Sequence, residues 1–247
     1  MELNLFVGTN IQYIAPKYDS SYMKFIYPEN CHNELDNFNN KTFDIMYMIY
    51  DVYQNLSKYI NDDTKYIGFN QKRRYFDIDY NSLLYYLKEG YSILAEHEYF
   101  DNDSVIEQYN KCCDNSNNDF LLIRYIINIL YPECISMYDT YMNGNILNSH
   151  NIFITDIDTF KQYMDFAFNV MKSFCEYHNF NNYKDIYKYV IEHKERFPLL
   201  DLQNFVIKYS SIEWNARICG FILERLTSMW FNCNRKIKEI PLIVYDI

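Results

Sequence analysis

Residues 65–79 read KYIGFNQKRRYFDID, and this stretch decides the predicted fold. Its apolar run, Tyr66–Phe69, has the length and the bounded ends of a buried strand. The run leads directly into Lys72, Arg73 and Arg74, and the carboxylates of Asp77 and Asp79 follow. Open α/β sheets bind ligands at the carboxyl ends of their strands. The stretch therefore predicts a central strand that delivers arginines and carboxylates to a ligand site.

Composition limits the kind of protein that surrounds this strand. The 247 residues are 49% hydrophobic, which is enough for one large core. The net charge of −10 argues against nucleic-acid binding, because that activity needs a broad basic face. The seven cysteines contain no CxxC pair, so structural zinc is not expected. Reduced thiols, no secretory signal and no apolar run of about 18 residues predict a cytoplasmic protein without a membrane span, peripheral if it meets a membrane.

Apolar runs and helical periodicity predict the remaining elements of a single α/β domain over residues 1–247. Strands are predicted at Leu3–Gly8, Tyr91–Ala95, Asn151–Thr155 and Ile240–Tyr245. Helices are predicted at Thr42–Ile60, Tyr80–Glu89, Glu133–Met142, Asp158–Tyr177, Tyr183–Arg196 and Ser210–Phe231. The stretch Asp103–Tyr131 is predicted to be helical with a break near Asp114–Asn118. Thr42 is the expected cap of its helix. The order strand–helix–strand from Tyr66 to Ala95 fits a right-handed βαβ unit, and residues 11–40 are typical of a long binding loop or lid.

Four stretches resemble one protein family, and they follow one another along the chain in the same order as in that family. YIGFNQKRRYF at 66–76 resembles the YIGLVHYRRYF-type signature of a capsular and exopolysaccharide glycosyltransferase family, formerly described only as a domain of unknown function. LNLFVGTN resembles the family's opening strand, and YPEC, HNIFI and FKQYMDFAF resemble its middle section. RICGFILERLTSMW followed by KEIPLIVYD resembles its RxFGFxxERLxxxW ending. Gln71 and Lys72 depart from the pattern, since the family commonly has His and Tyr there.

The resemblance implies a GT-A-like, Rossmann-related sheet and a hexosyltransferase. The family includes proteins assigned as galactofuranosyltransferases. Its members would move a hexose from a nucleotide diphosphate-sugar, in the first place a UDP-sugar, to a glycan or glycolipid acceptor. The departures at Gln71 and Lys72 motivate an alternative, a non-catalytic relative that binds a nucleotide or a glycan.

Two interpretations of the charged segment remain open. Arginine forks bind phosphate oxygens bidentately and stay charged, so Arg73 or Arg74 is expected to stabilise the leaving diphosphate without a cofactor. Neighbouring side chains on an extended segment point in opposite directions, so one arginine is expected to face the ligand and the other to pack or pair. In the competing interpretation Asp77 and Asp79 project to one side and hold Mg²⁺ or Mn²⁺. The plain alternative is an exposed turn with solvated charges.

Acid–base candidates also carry two interpretations each. Glu224 is the first candidate for the base that activates the acceptor, and the alternative is a salt bridge to Arg225 or Arg217 that braces the helix. Asp156 is the second candidate, and the alternative is a cap of the following helix.

The remaining candidates are polar residues beside predicted strands. Thr9 and Asn10 follow the first strand and are expected near the nucleoside. His150 and Asn151 precede a strand, and either bind sugar hydroxyls or serve the structure. Arg217 is assigned with them to nucleotide-sugar binding.

Overall fold

The computed structural model describes residues 2–9, 21–113, 118–193 and 211–245, and these form a mixed α/β fold. The strands are β1 (Leu3–Gly8), β2 (Met23–Ile26), β3 (Tyr66–Gln71), β4 (Arg74–Phe76), β5 (Tyr91–Ala95), β6 (Glu98–Tyr99), β7 (Ile146–Leu147), β8 (Phe153–Asp156), β9 (Lys236–Ile240) and β10 (Leu242–Val244). The helices are α1 (Asn39–Phe43), α2 (Ile45–Gln54), α3 (Leu56–Tyr59), α4 (Tyr80–Lys88), α5 (Val105–Cys112), α6 (Asn118–Leu130), α7 (Ile135–Met142), α8 (Ile157–His178), α9 (Tyr183–Glu192), α10 (Ile212–Asn215) and α11 (Ile218–Asn234). The predicted α/β class with extensive helical cover is confirmed.

The central sheet is mostly parallel, in the order β2-β1-β3-β8-β5-β9. β1 pairs in parallel with β2 and β3, and β5 pairs in parallel with β9. β8 is reversed, because it runs antiparallel to both β3 and β5. The predicted βαβ unit of β3, α4 and β5 therefore has parallel strands, but these are not neighbours, since β8 lies between them.

The reversal of β8 decides which residues meet at each edge of the sheet. Phe69, near the end of β3, pairs with Phe153 at the start of β8. Tyr66, at the beginning of β3, pairs with Asp156 at the end of β8. Residues that precede β8 therefore lie beside the carboxyl end of β3, and residues that follow β8 lie at the opposite edge.

The two faces of the sheet carry separate apolar cores, as the two-residue period of a strand requires. Phe6 and Phe69 stack on one face at 5.7 Å between ring centroids, and helices α2, α8 and α11 cover this larger core. Leu5 and Ile154 belong to the other face, which α4 covers. β1 and β3 are buried on both sides, so their sequences are mostly apolar, with the buried polar residues Asn4 and Asn70 among them.

Several predicted boundaries are wrong at the amino-terminal half. β2 lies within the stretch 11–40 that was predicted to be an irregular loop. The predicted helix Thr42–Ile60 is broken into α1, α2 and α3. Thr42 lies inside α1 and does not cap it, and α2 begins after Asp44, whose φ is positive. A positive φ is outside the range of a right-handed helix, so one helix cannot continue through Asp44.

The carboxyl-terminal strand is also different from the prediction. Two strands, β9 and β10, flank Pro241 in place of one strand over Ile240–Tyr245. Proline lacks the N–H that a continuous strand would need, so pairing changes partner at that residue. β9 pairs with β5, whereas β10 pairs with β4. The ends predicted at Arg196 and Ser210 lie outside the described residues.

In the part of the chain that the structure describes, none of the helices has both the length and the apolar character needed to cross a membrane.

Gly68 lies on β3, between Leu5 of β1 and Ile154 of β8. A Cβ added there would lie 2.6 Å from Cγ1 of Ile154 and 2.9 Å from Cδ1 of Leu5. We expect Gly68→Ala to lower the free energy of unfolding by about 1–3 kcal/mol, because overpacking a buried sheet displaces its neighbours. Thermal unfolding should show a melting temperature lower by roughly 2–4 °C per kcal/mol. Ser57→Ala on the exposed side of α3 is the control, and equal stability of the two variants would contradict this packing.

Candidate active site

The double arginine lies on a tight hairpin at the carboxyl edge of the sheet. Gln71 at the end of β3 pairs with Arg74 at the start of β4, and Lys72 and Arg73 form the turn between them. The backbone N–H of Tyr245 donates to the carbonyl oxygen of Arg73 at 2.9 Å and holds the turn. A turn lies where an extended segment was expected, and Arg73 and Arg74 both belong to the lining of the same cleft.

This cleft has two chambers. The β1 chamber encloses about 270 Å³ beside Gly8 and Thr9, and the α11 chamber encloses about 410 Å³ beside α11. Both chambers are lined by the same five residues at their junction: Asp44, Gln71, Arg73, Arg74 and Arg217. Three arginines are therefore common to the lining of both chambers.

The two hairpin arginines have different surroundings. Arg74 donates through Nη1 to Oε1 of Gln71 at 3.0 Å. Burial lowers the pKa of Arg74, and the neighbouring charge of Arg73 lowers it further, but a guanidinium starts so high that it stays charged. Among the described residues, the Arg73 side chain has no hydrogen bond or ion pair. Arg73 is thus a cation in the cleft with its donors available to a ligand.

Arg217 reaches the junction from the residue before α11. Its guanidinium lies 4.9 Å from the ring centroid of Trp214 and 5.3 Å from that of Phe221. Its Nη2 donates to Oδ2 of Asp44 at 2.5 Å. The aromatic contacts and the ion pair fix the direction in which its remaining donors point.

Glu224, the first acid–base candidate, lies on α11 and lines the α11 chamber. Its Oε2 accepts from Nη1 of Arg225 at 2.8 Å, so the predicted pair with Arg225 is present. Its Oε1 accepts from the backbone N–H of His150 at 2.5 Å. Arg225 is almost fully buried and also donates to Oε1 of Gln108 at 2.5 Å. The carboxylate is held from two sides, and its remaining lone pairs are open to the chamber.

His150 and Asn151 form the strained connection that leads into β8. Their φ angles are 77° and 54°. The carbonyl oxygen of His150 accepts from Nε2 of Gln71 at 2.6 Å, and this contact ties the connection to the arginine hairpin. Asn151 is buried, and its Oδ1 accepts from the hydroxyl of Thr227 at 2.7 Å. Both residues line the α11 chamber.

The imidazole of His150 lies between two carboxylates. Its Nδ1 is 3.8 Å from Oε1 of Glu224, and its Nε2 is 4.0 Å from Oε1 of Glu98. Burial lowers the pKa of His150, and the charge of Arg74 adds to this effect, although Glu224 and Glu98 oppose it. The ring is therefore neutral near pH 7.

We expect this histidine to make stability depend on pH. The unfolded chain binds the His150 proton near the ordinary pKa of 6.5, whereas the folded chain binds it only at lower pH. The stability from neutral His150 is present above about pH 6.5 and is lost as the pH falls through the folded-state pKa. His150→Asn tolerates the positive φ and should flatten this part of the pH profile in chemical unfolding. His32→Asn at an exposed position is the control, and an unchanged slope in His150→Asn would contradict the assignment.

Asp156 does not reach this cleft. It lies at the opposite edge of the sheet because β8 is reversed, and its Oδ1 accepts from the N–H of Thr159 at 2.8 Å. Its Oδ2 accepts from Nη2 of Arg235 at 3.0 Å. The capping role is observed, and the position is wrong for a base in the cleft.

The two carboxylates of the metal hypothesis also lie outside the lining of the cleft. Oδ1 of Asp79 accepts from the backbone N–H groups of Asn81 and Ser82, and its Oδ2 accepts from the Ser82 hydroxyl, so it caps α4. These bonds hold the pKa of Asp79 below its ordinary value. Asp77 donates its backbone N–H to the carbonyl oxygen of Pro241 at 2.8 Å. The chain bends at Asp77 and Ile78, so the continuous extended segment that was expected from Asp77 to Asp79 does not form, although Asp79 itself has extended backbone angles.

At the other end of the cleft, Thr9 lines the β1 chamber, and its N–H donates to the carbonyl oxygen of Ile26 at 3.0 Å. Asn10 lies outside the described residues. Thr9 thus stands at the end of β1, next to the carboxyl end of β3, as predicted.

Some cleft residues carry no signal in the sequence. Asp44 falls inside a window with helical periodicity, and Glu98 lies on a strand of only two residues. Oε1 of Glu98 accepts from the hydroxyl of Ser149 at 2.6 Å. Both carboxylates face the arginines only because the chain folds back on itself.

A larger cavity of about 580 Å³ lies between α2 and α8, two of the helices that cover the larger core. Its described lining has no arginine and none of the candidate site residues. The arginine cleft, which joins cations and carboxylates at the carboxyl edge of the sheet, is therefore the better candidate for chemistry.

Comparison with known proteins places the chain in a family. A family model described as "Domain of unknown function (DUF4422)" matches residues 5–196. The chain belongs to this family. Arg73, Arg74 and His150 lie within the matched part of this DUF4422 protein, and Arg217 and Glu224 follow it. The expected membership of a family described as a domain of unknown function is confirmed.

A solved structure shares the fold of this DUF4422 protein. It is the apo structure of the WbbM bifunctional glycosyltransferase, with a TM-score of 0.72 and 13% sequence identity. The superposition covers 100% of this chain and 46% of the other, so the chain spans about half the length of that protein. A search among curated proteins found no match. At this identity the likeness shows the fold.

Proposed function

We propose that this protein is a glycosyltransferase that moves a hexose from a nucleotide diphosphate-sugar, in the first place a UDP-sugar, to a hydroxyl group of a glycan or glycolipid. The observation that carries the proposal is the meeting of Arg73, Arg74 and Arg217 at the junction of two chambers. The fold shared with a bifunctional glycosyltransferase supports it. We expect the reaction to take place in the cytoplasm, peripheral to a membrane when the acceptor is lipid-linked.

The arrangement of the sheet supports a GT-A-like, Rossmann-related assignment. The parallel strands β1 and β3 end at the same edge, where such sheets bind nucleotides. Gly8 and Thr9 lie at this edge, in the β1 chamber. We assign the β1 chamber to the nucleoside and the diphosphate, with Thr9 near the nucleoside and Asn10 as a further proposed contact.

The arginines fit a leaving diphosphate. Arg73 has donors available to a ligand, and Arg74 and Arg217 are held by neighbouring side chains so that their forks are already oriented. Guanidinium groups bind phosphate oxygens bidentately. Fixed cations aimed at developing negative charge stabilise a transition state without reorganising. We propose that these three residues supply the charge stabilisation that a metal supplies elsewhere.

The α11 chamber fits the acceptor. In the proposed reaction an acceptor oxygen attacks the anomeric carbon of the donor sugar and forms the new C–O bond. The bond between that carbon and the β-phosphate oxygen breaks, and its electron pair leaves on the nucleoside diphosphate. For an inverting transfer, the acceptor proton passes to the carboxylate of Glu224. His150 and Asn151, on the wall of the same chamber, are proposed to shape the sugar site.

The test is release of nucleotide diphosphate from a panel of nucleotide-sugars with glycan acceptors, in the presence and absence of EDTA. We expect release that persists in EDTA. Loss of release in EDTA, restored by Mn²⁺ or Mg²⁺, would contradict the arginine mechanism and return the assignment to carboxylates such as Asp77 and Asp79. Binding of UDP-sugars without turnover would favour the non-catalytic alternative. A protein that binds no nucleotide would refute the proposed function.

A further inference from the structure

Asp44 is the acidic residue that both chambers share. The other four residues at the junction are one glutamine and three arginines. Glu98 and Glu224 line only the α11 chamber among the described residues of the cleft. Asp44 therefore stands between the site assigned to the diphosphate and the site assigned to the acceptor. That is the place the transferred sugar must occupy.

The backbone of Asp44 is strained. Its φ is 52° and its ψ is −132°, a combination that glycine tolerates far better than other residues. The side chain does not offset this cost by capping α2, because it makes no capping hydrogen bond. The backbone is held from behind, since Gly220 of α11 packs against the carbonyl oxygen of Thr42 and against Phe43. Strain that the surrounding structure enforces is a feature of ligand sites.

A carboxylate at this place opposes phosphate binding, because it repels the phosphate that the arginines attract. A binding role for Asp44 therefore requires a ligand group other than phosphate. Sugar hydroxyls are hydrogen-bond donors, and a carboxylate has acceptor sites beyond the one that Arg217 occupies. About half of the Asp44 side chain is exposed, at 47%. It is both accessible and held in one direction by its ion pair.

We propose that Asp44 binds hydroxyl groups of the donor's hexose and sets which sugar the enzyme accepts, with Arg217 as the residue that orients it. This inference rests on the proposed glycosyltransferase function and adds the sugar-recognition residue to it. A site that is built to hydrogen-bond a hydroxyl rejects analogues that lack the hydroxyl or place it differently.

The test compares the affinity for UDP with the affinity for UDP-glucose, UDP-galactose and UDP-galactofuranose by calorimetry. Asp44→Asn keeps the shape and tolerates positive φ, and Asp44→Gly relieves the strain altogether. In both variants we expect UDP to bind as tightly as in the wild type or more tightly, because a negative charge is removed. The gain in affinity that the preferred hexose adds should fall by about 10- to 100-fold. Asp44→Gly should melt no lower than the wild type.

The control is Asp139→Asn, which removes an aspartate that pairs with Arg124 away from the cleft and should leave donor affinity unchanged. An equal loss of affinity for UDP and for UDP-hexoses in the Asp44 variants would show that Asp44 acts only through Arg217, and would overturn the inference. Unchanged discrimination among hexoses would also overturn it. In both cases the proposed function stands if the wild type binds UDP-sugars. A wild type that binds none of the four probes refutes the proposed function and the inference together.

Discussion

The double variant Arg73→Met/Arg74→Met is expected to bind UDP about 10²- to 10⁴-fold more weakly than the wild type. Each charge-assisted hydrogen bond that is lost contributes about 1.5–3 kcal/mol, and about 1.4 kcal/mol is a factor of ten in affinity. The fold should survive. Arg73 has no side-chain partner among the described residues, and burial disfavours the charge of Arg74. Calorimetric titration with UDP and thermal unfolding measure the two effects separately.

Arg124→Met is the matched control. Arg124 lies on α6, and its fork pairs with Asp139 through two contacts of 2.7 Å away from the cleft. It removes an arginine without touching the junction, so the affinity for UDP should not change. Arg73→Lys should recover only part of the affinity, because an ammonium group cannot bind two phosphate oxygens in the fork geometry. Wild-type affinity in the double variant would place the diphosphate elsewhere.

Glu224→Gln is expected to lower the turnover number by about 10²- to 10⁴-fold while the affinity for UDP stays close to that of the wild type. The amide keeps an oxygen that can accept from the N–H of His150, but it cannot take a proton from the acceptor. The variant also loses the ion pair with buried Arg225. We therefore expect a lower melting temperature, because a buried charge without its partner is destabilising.

Two measurements separate the two possible roles of Glu224: the melting temperature reports on the salt bridge, and the turnover number reports on catalysis. Turnover is measured well below the melting temperature of the variant, where the protein is folded and binds UDP. A variant that is less stable but turns over like the wild type would support the bracing salt bridge and contradict the catalytic role. Glu98→Gln serves as the control for loss of one carboxylate in the α11 chamber, and a smaller effect on turnover is expected there.

Local signals predicted much of the scaffold. The strands Leu3–Gly8 and Tyr91–Ala95 have the predicted bounds, because short, mostly apolar runs are typical of strands in a sheet that is covered on both faces. The start of α8 was predicted to within one residue, because the apolar face of this helix repeats with the helical period. β9 was missed because its sequence, KIKEI, is mostly charged and gains its partner only from β5.

The candidate site was predicted in part for the same reason. Arg73 and Arg74 follow a strand that is recognisable on its own, so their place at the sheet edge follows from neighbouring residues. Asp79 also had a local signal, because an aspartate directly before a helix is a typical cap. Asp44 had none, since its strained backbone depends on α11 packing behind it.

The sequence by itself determined the α/β class, the strand that carries Arg73 and Arg74, and the positive charge of their side chains. These depend on residues within a few positions of each other, through backbone preference and the periods of strand and helix. Only the tertiary structure decided that β8 is reversed, which brings His150 to the arginines and takes Asp156 away from them. Strand order and direction arise from contacts between distant segments, and so does the meeting of Asp44 with Arg217 across 173 positions of the chain.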